Sequence, residues 1–268
     1  MTSSEMAMPE LPDGLTLVRE NGIATVTLER EKPTNALSKA IMCGLRDVAR
    51  WLKTDIETHA VVLTGNPVFS AGADLKDPDM RTHHLEELQQ RQALLLGPDM
   101  CAAWEALEQV TICAIEGYCL GGGVSIAVSC DWRVLAEDAV LRLPEIPLGI
   151  NNSWQTNPRI ATLVGPSRAK QMIILGEDVD ATQAADWGLV DFVTPKGASL
   201  AQAMALAEKV VALPPIPVRM SKQAVNAHAN AMNYTASYMD REQYTLVTGS
   251  EGNKKAVQKF LERSKTNK

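Results

Sequence analysis

Gly117-Tyr118-Cys119-Leu120-Gly121-Gly122-Gly123-Val124-Ser125-Ile126-Ala127-Val128-Ser129-Cys130-Asp131 is the stretch on which the fold turns. Consecutive glycines precede a run of small and apolar residues that can wind into a buried helix. Bare backbone N–H groups then stand at its positive end, a place to hold an anion. Glycine triplets are also ordinary tight-turn material, so the segments on either side must decide between the two.

Immediately upstream, Val110-Thr111-Ile112-Cys113-Ala114-Ile115 reads as a strand that delivers the chain to the glycines, which are expected to open a helix ending near Asp131. Downstream, residues 132–136 and 140–143 read as short strands around the turn Glu137-Asp138-Ala139. Toward the N-terminus, residues 15–18 and 23–28 flank Arg19-Glu20-Asn21-Gly22, where Asn-Gly supplies the positive φ angles of a hairpin turn. Leu37, Ile41, Leu45, Val48 and Leu52 then recur at helical spacing, with Ser38 placed to cap the start. Ala60-Val61-Val62-Leu63-Thr64 reads as a strand buried on both faces, ended by Gly65-Asn66-Pro67. Strand, turn, strand and helix thus recur, without the self-similarity of a sequence repeat.

A small-residue loop follows at Phe69-Ser70-Ala71-Gly72-Ala73-Asp74-Leu75, and the charged residues 78–91 are expected to form a mobile flap before a helix over residues 92–107. From Gly165 onward the pattern is helical, with helices expected from Pro166 to Leu175, over 181–187 and over 201–212. Leu213-Pro214-Pro215-Ile216-Pro217 reads as a stiff break, followed by a tail rich in Lys, Gln and Asn with helices at 221–233 and 251–263. Such a tail docks on its own core or on a neighbouring subunit.

A chain of 268 residues with 46% hydrophobic and 22% charged content can bury a large core. Its net charge of −6 and pI near 5.3 argue against a sequence-independent grip on nucleic acid. No apolar run reaches the ~18 residues that a membrane span requires. Residues 1–10 lack the order of a signal or transit peptide, so a cytoplasmic protein is expected. Cys43, Cys101, Cys113, Cys119 and Cys130 are odd in number and without C-x-x-C spacing, which fits reduced core thiols. The His83-His84 pair lies in a charged segment with no companion at ligand spacing, so it reads as a surface pair and no metal is expected.

Phe69-Ser70-Ala71-Gly72-Ala73-Asp74-Leu75, Gly121-Gly122-Gly123 and Leu143-Pro144-Glu145-Ile146-Pro147-Leu148-Gly149, in that order, resemble the crotonase (enoyl-CoA hydratase/isomerase) family. Asn35-Ala36-Leu37 and Ala181 followed by Gly188-Leu189-Val190 agree, so the resemblance runs from about residue 15 to 263. It implies an α/β fold, a crotonase-like spiral of repeated strand-strand-helix units. Residues 1–200 would form the spiral core with an acyl-CoA site, and residues 201–268 a C-terminal helical trimerisation region. The implied substrate is an acyl-CoA thioester, with no separate cofactor because coenzyme A is part of the substrate. The implied assembly is a homotrimer or a hexamer built as a dimer of trimers.

The resemblance further implies that the backbone N–H groups of Ala73 and Gly122 form an oxyanion hole for the thioester carbonyl. An enolate oxygen needs donors in place before charge develops, and a helix N-terminus adds its dipole. The adenine is implied to lie near Ala36, Leu37 and Ala71. Asp74 beside the hole suits bonding of loop amides rather than direct catalysis. Tail lysines and Phe260 are implied to touch the nucleotide phosphates of a neighbouring chain.

Glu145 stands in an otherwise apolar, proline-flanked segment, where burial raises a carboxyl toward the range useful for taking and returning a proton beside a thioester. The alternative is a strand-end glutamate held by a backbone amide. The family's hydratases carry two glutamates, and the first position is occupied here by Ser125, twenty residues before Glu145. A hydroxyl can orient water, but a pair of equal acid/base partners is lost. A single glutamate resembles the family's isomerases, and a serine at this place resembles its hydroxycinnamoyl-CoA hydratase-lyases. Packing is the alternative for Ser125. After Ile150 comes Asn151-Asn152-Ser153-Trp154-Gln155-Thr156-Asn157 where the family usually has proline and paired glycines. Trp154 is expected to shape the acyl pocket, with structural packing as the alternative.

Enoyl-CoA hydration or double-bond isomerisation is the expectation; a non-catalytic acyl-CoA-binding member is the rival from another class. A hydrolase, dehalogenase or decarboxylase is a third possibility, though no clear carboxylate nucleophile for dehalogenation is present. Neither G-x-G-x-x-G nor G-x-x-x-x-G-K-[ST] occurs, so nucleotide folds of those types are excluded.

Overall fold

β1 (Leu15–Glu20) and β2 (Ile23–Leu28) pair antiparallel across Asn21 and Gly22, whose φ angles of 51° and 77° are those an Asn-Gly hairpin turn adopts. The computed structural model containing this hairpin describes residues 7–30, 34–82 and 84–266; in its last helix the side chains of 260, 261 and 263–266 are outside that description. His83 and the Phe260 side chain therefore lie outside the described residues.

Helix α1 (Lys39–Leu52) starts where Ser38 Oγ accepts from the Ile41 amide at 3.3 Å, and Ile41, Leu45, Val48 and Leu52 are buried along one face. β3 (Ala60–Gly65) runs parallel to β2. The described residues of the charged segment, 78–82 and 84–91, carry more regular structure than the sequence suggests. A single 3₁₀ turn, Pro78–Met80, is capped by Asp77, and α2 (Glu87–Ala93) follows before α3 (Leu96–Glu105). The single helix expected over 92–107 is thus two, broken at Leu94 and Leu95.

Next come β4 (Val110–Ile115), β5 (Tyr118–Leu120), α4 (Gly122–Ala127), β6 (Trp132–Ala136) and β7 (Val140–Arg142). After a 3₁₀ turn at Ile146–Leu148, α5 (Thr156–Leu175) runs through Gly165, where φ is 77° and the helix kinks before Pro166. Proline is tolerated there because it opens the second segment, where its missing N–H is no loss. β8 (Val179–Asp180), α6 (Ala181–Trp187), β9 (Phe192–Thr194) and α7 (Ser199–Val211) complete the layers. The same proline tolerance lets α8 (Pro215–Ala229) begin inside the segment expected as a break. α9 (Asn233–Ser237), α10 (Asp240–Thr248) and α11 (Glu251–Thr266) end the chain. α10 had no counterpart in the expected elements.

The main sheet has the order β1-β2-β3-β4-β6-β9, parallel after the first pair, and a smaller sheet has the order β5-β7-β8. Successive strands alternate between the two sheets, β4 and β6 in one and β5 and β7 in the other, with α4 between. This is the strand-strand-helix spiral. Val61 and Leu63 face α1 and α3, while Ala60 and Val62 face Ala203, Leu206, Ala207 and Val210 of α7. Burial on both sides explains why β3 reads as a continuous apolar run; each such side chain contributes roughly 1.5–3 kcal/mol. Lys222 of α8 is tied into the same core: its Nζ lies 2.7 Å from Asp131 Oδ2 and donates to the Gln109 carbonyl at 2.6 Å. Among the described residues, no helix is long and apolar enough to cross a membrane.

Candidate active site

Gly121 ends the β5 strand with φ 50° and ψ −118°, a conformation that favours glycine, and its N–H donates to the Arg142 carbonyl at 2.8 Å. The next residue, Gly122, opens α4, whose first bond of this turn runs from Ser125 N to Gly121 O at 3.1 Å. The amide of Gly122 has no carbonyl partner within its own helix.

Gly72 (φ 83°) packs so closely on this turn that a Cβ there would lie 2.5 Å from Leu120 O and 3.1 Å from Gly122 N. Beside it, Leu37 N donates to Gly72 O at 2.8 Å and Asp74 N to Leu37 O at 3.0 Å. Those two groups point toward Leu37, so strand geometry turns the intervening N–H of Ala73 the other way. Asp74 holds this loop: Oδ1 accepts from Lys76 N at 3.1 Å, and Oδ2 pairs with Arg30 at 2.9 Å.

Glu145 follows β7 and precedes the Ile146–Leu148 turn. A Cβ on Gly121 would lie 2.8 Å from Glu145 Oε1. Oε2 is shut off from solvent and has no hydrogen-bond partner among the described residues. Burial pushes the carboxyl up to about 7, opposed only by its own backbone amide.

Ser125, in the second half of the first α4 turn, is 4% exposed. Its Oγ lies 2.7 Å from Thr156 Oγ1 and 3.4 Å from the Gly121 carbonyl. Trp154 and Gln155 both have positive φ, 63° and 60°. The buried Arg159 holds them there: it donates to Trp154 O at 2.8 Å and Gln155 Oε1 at 3.1 Å while pairing with Glu105 at 2.7 Å. The Trp154 indole is thereby laid between two glycines. A Cβ on Gly97 would meet it at 2.0 Å and one on Gly122 at 2.4 Å.

Ala73, Asp74, Gly122, Ser125, Glu145 and Trp154 line one cavity of about 1200 Å³. Leu37 is wholly buried in the core, and Ala36, Leu37 and Ala71 are not among the residues lining that cavity. The sequence reading missed the part contributed by the tail. Tyr244 of α10 and Asn253 and Val257 of α11 form a wall of the cavity. Asn253 donates to the Leu148 carbonyl at 3.0 Å, next to the turn that carries Glu145. Nothing in the polar run Arg241-Glu242-Gln243-Tyr244-Thr245 marks it as cavity lining; only its placement does. Amide donors beside a carboxyl that titrates near neutrality can stabilise a developing oxyanion and move one proton.

Residues 18–267 match the sequence model of the family described as enoyl-CoA hydratase/isomerase. The chain is 33% identical over 251 residues to a short-chain-enoyl-CoA hydratase of Clostridium acetobutylicum, covering 93% of this chain and 95% of that one. It is 31% identical over 253 residues to a 2,3-dehydroadipyl-CoA hydratase of Escherichia coli, covering 93% and 96%. In three dimensions it superposes on an enoyl-CoA hydratase from Mycobacterium avium subsp. paratuberculosis with a TM-score of 0.84, at 25% identity over 95% of this chain and 97% of the other.

Proposed function

The chain belongs to the enoyl-CoA hydratase/isomerase family of enzymes, and from that premise we propose that it adds water across the 2,3 double bond of an enoyl-CoA with Glu145 as its single acid/base. The thioester oxygen accepts from the Ala73 and Gly122 amides, each donor being typically worth about 3 kcal/mol of barrier. Glu145 removes a proton from water as the O–C3 bond forms and the electron pair moves to the thioester oxygen. The same carboxyl then returns that proton to C2 as the enolate collapses, so one water is consumed and no cofactor takes part.

The observation that carries this proposal is the enclosed Glu145 carboxyl, raised to about 7 and opening on the same cavity as Gly122 and Ala73. The names of the relatives, hydratases of short-chain enoyl-CoA and of 2,3-dehydroadipyl-CoA, support the thioester substrate. A second outcome is favoured by Ser125 standing where a second carboxylate would be: Glu145 takes a C2 proton and returns it to C4, shifting a 3,4 double bond to 2,3. A homotrimer or hexamer in the cytoplasm belongs to the same proposal. Exposed Ile216, Met220, Val225, Met232, Tyr234 and Tyr238 on the C-terminal helices support association.

A panel of aliphatic and aromatic enoyl-CoAs in heavy-oxygen water, read by mass spectrometry, tests the function. Label in the product means hydration, positional isomers without label mean isomerisation, and binding without turnover of any member overturns both.

A further inference from the structure

We propose that Asp240, the first residue of α10, is a positioning residue for the acyl group: by holding the Trp154–Gln155 turn it keeps the indole over Gly122, and so sets which acyl chains the cavity takes. The role rests on the acyl-CoA reading above.

Trp154 and Gln155 stand in the left-handed region, with φ 63° and 60°, where a residue that carries a Cβ is strained. Such a turn persists only while its surroundings hold it. Two side chains do so from opposite sides. Arg159 of α5 takes the carbonyl side, donating to Trp154 O at 2.8 Å and to Gln155 Oε1 at 3.1 Å. Asp240 takes the amide side, where its Oδ2 accepts from Gln155 N at 3.1 Å. Both are nearly closed to solvent. Gln155 caps α5 without a side-chain bond to the helix, so the Asp240 carboxylate also brings an anion to that helix's positive end. α10 is itself fixed: Glu242 pairs with Arg91 of α2 at 2.8 Å, and Arg241 donates to the Arg91 carbonyl at 3.3 Å.

The indole carries this constraint to the substrate. A Cβ on Gly122 would meet its ring at 2.4 Å and one on Gly97 at 2.0 Å, and Trp154 lines the cavity together with both glycines. An acyl group whose thioester oxygen sits at the Gly122 amide passes against that ring. A turn released by Asp240 frees the ring to move aside and leaves room for a longer chain.

The test measures binding of butyryl-CoA and decanoyl-CoA by calorimetry, and hydration of the corresponding 2-enoyl-CoAs. It compares wild type, Asp240→Ala, Asp240→Asn, Trp154→Ala and the double variant Asp240→Ala/Trp154→Ala. Asp240→Ala should raise the decanoyl-to-butyryl affinity ratio ~10-fold, and Asp240→Asn, which keeps an acceptor oxygen, should restore the wild-type ratio. In the Trp154→Ala background, adding Asp240→Ala should leave the ratio within about twofold, because both changes act through one ring. An Asp240→Ala ratio equal to wild type, whether or not its Tm falls, overturns the proposal. A full shift in the Trp154→Ala background, or an Asp240→Asn ratio like that of Asp240→Ala, does the same. If Asp240→Ala does not fold, Asp240→Leu, of larger volume and without an acceptor, is read in its place. A wild type that binds both thioesters but hydrates neither enoyl-CoA removes the hydration reading while the binding ratios still decide the proposal. A wild type that binds neither overturns both.

Discussion

Thr156 Oγ1 lies 2.7 Å from Ser125 Oγ and 2.6 Å from the Ser153 carbonyl. A hydroxyl has one proton. Thr156 shares its proton between Ser125 Oγ and the Ser153 carbonyl, and Ser125 turns its own to the Gly121 carbonyl at 3.4 Å, presenting only lone pairs to the cavity. It can accept from a water but cannot serve as an acid. Ser125→Ala should therefore lower hydration less than ~10-fold and cost about 1 kcal/mol of stability, the worth of one buried hydrogen bond. Initial rates and urea unfolding measure the two; a hundredfold loss of kcat would put the hydroxyl in the chemistry.

Glu145→Gln should abolish most turnover, by ~10²–10⁴-fold, while the affinity for a saturated acyl-CoA stays near wild type. In the wild type, kcat/KM should rise with pH through about 7, as the carboxyl loses its proton. Calorimetric binding and a pH–rate profile decide; unchanged turnover sinks the assignment of the base.

The same carboxyl makes stability depend on pH. Its folded value of about 7 exceeds the ordinary 4.5, so between those limits the folded state binds more protons than the unfolded one. Relative stability is greatest below pH 4.5 and is lost up to about pH 7, by about 3 kcal/mol for this one group. Glu145→Gln should remove that contribution and be more stable than wild type at pH 8. Denaturant unfolding at pH 5 and 8 tests it; an unchanged difference between the two pH values rules it out.

Gly97→Ala should be disruptive on its own, because the new methyl would lie 2.0 Å from the indole of Trp154. Combined with Trp154→Ala it should be benign, since alanine suits a helix better than glycine by about 1 kcal/mol. Such coupling in a double-mutant cycle would confirm the contact. Trp154→Ala alone should shift the ranking of acyl-CoA substrates toward longer or branched chains, because the indole occupies space directly over Gly122. An unchanged ranking leaves Trp154 as packing.

Arg159→Met should cost ~3–5 kcal/mol by leaving the Glu105 carboxylate without its buried partner. The same change frees the Trp154–Gln155 turn, so KM for acyl-CoA should rise together with the loss of thermal stability. A KM that does not move would separate the clamp from the pocket.

Much of the fold was legible because local chemistry and packing agreed. The Asn21-Gly22 turn, the α1 stripe beginning at Ser38 and the two-sided apolar run of β3 each carry their own signal. Where the reading slipped, a residue had a second permitted use. Pro215 opened a helix instead of breaking the chain, and the charged segment after Pro78 formed α2, which is anchored by Arg91 to a helix far along the sequence. α10 escaped notice because a helix with one polar face and one half-buried face looks like any solvated tail until its docking partner is known.

By itself, the sequence determined the strand-strand-helix order, the glycine turn ahead of α4, and a glutamate in apolar surroundings twenty residues past Ser125. Those are properties of neighbours along the chain: propensity, periodicity and local polarity. Only the tertiary structure decided that Ser125 is bound to Thr156, that the Trp154 indole rests on Gly97 and Gly122, and that Tyr244 lines the cavity on which Glu145 opens. These partners are brought together by packing across elements distant in sequence. No short-range pattern encodes such a distance, so it exists only once the layers and the tail helices have docked.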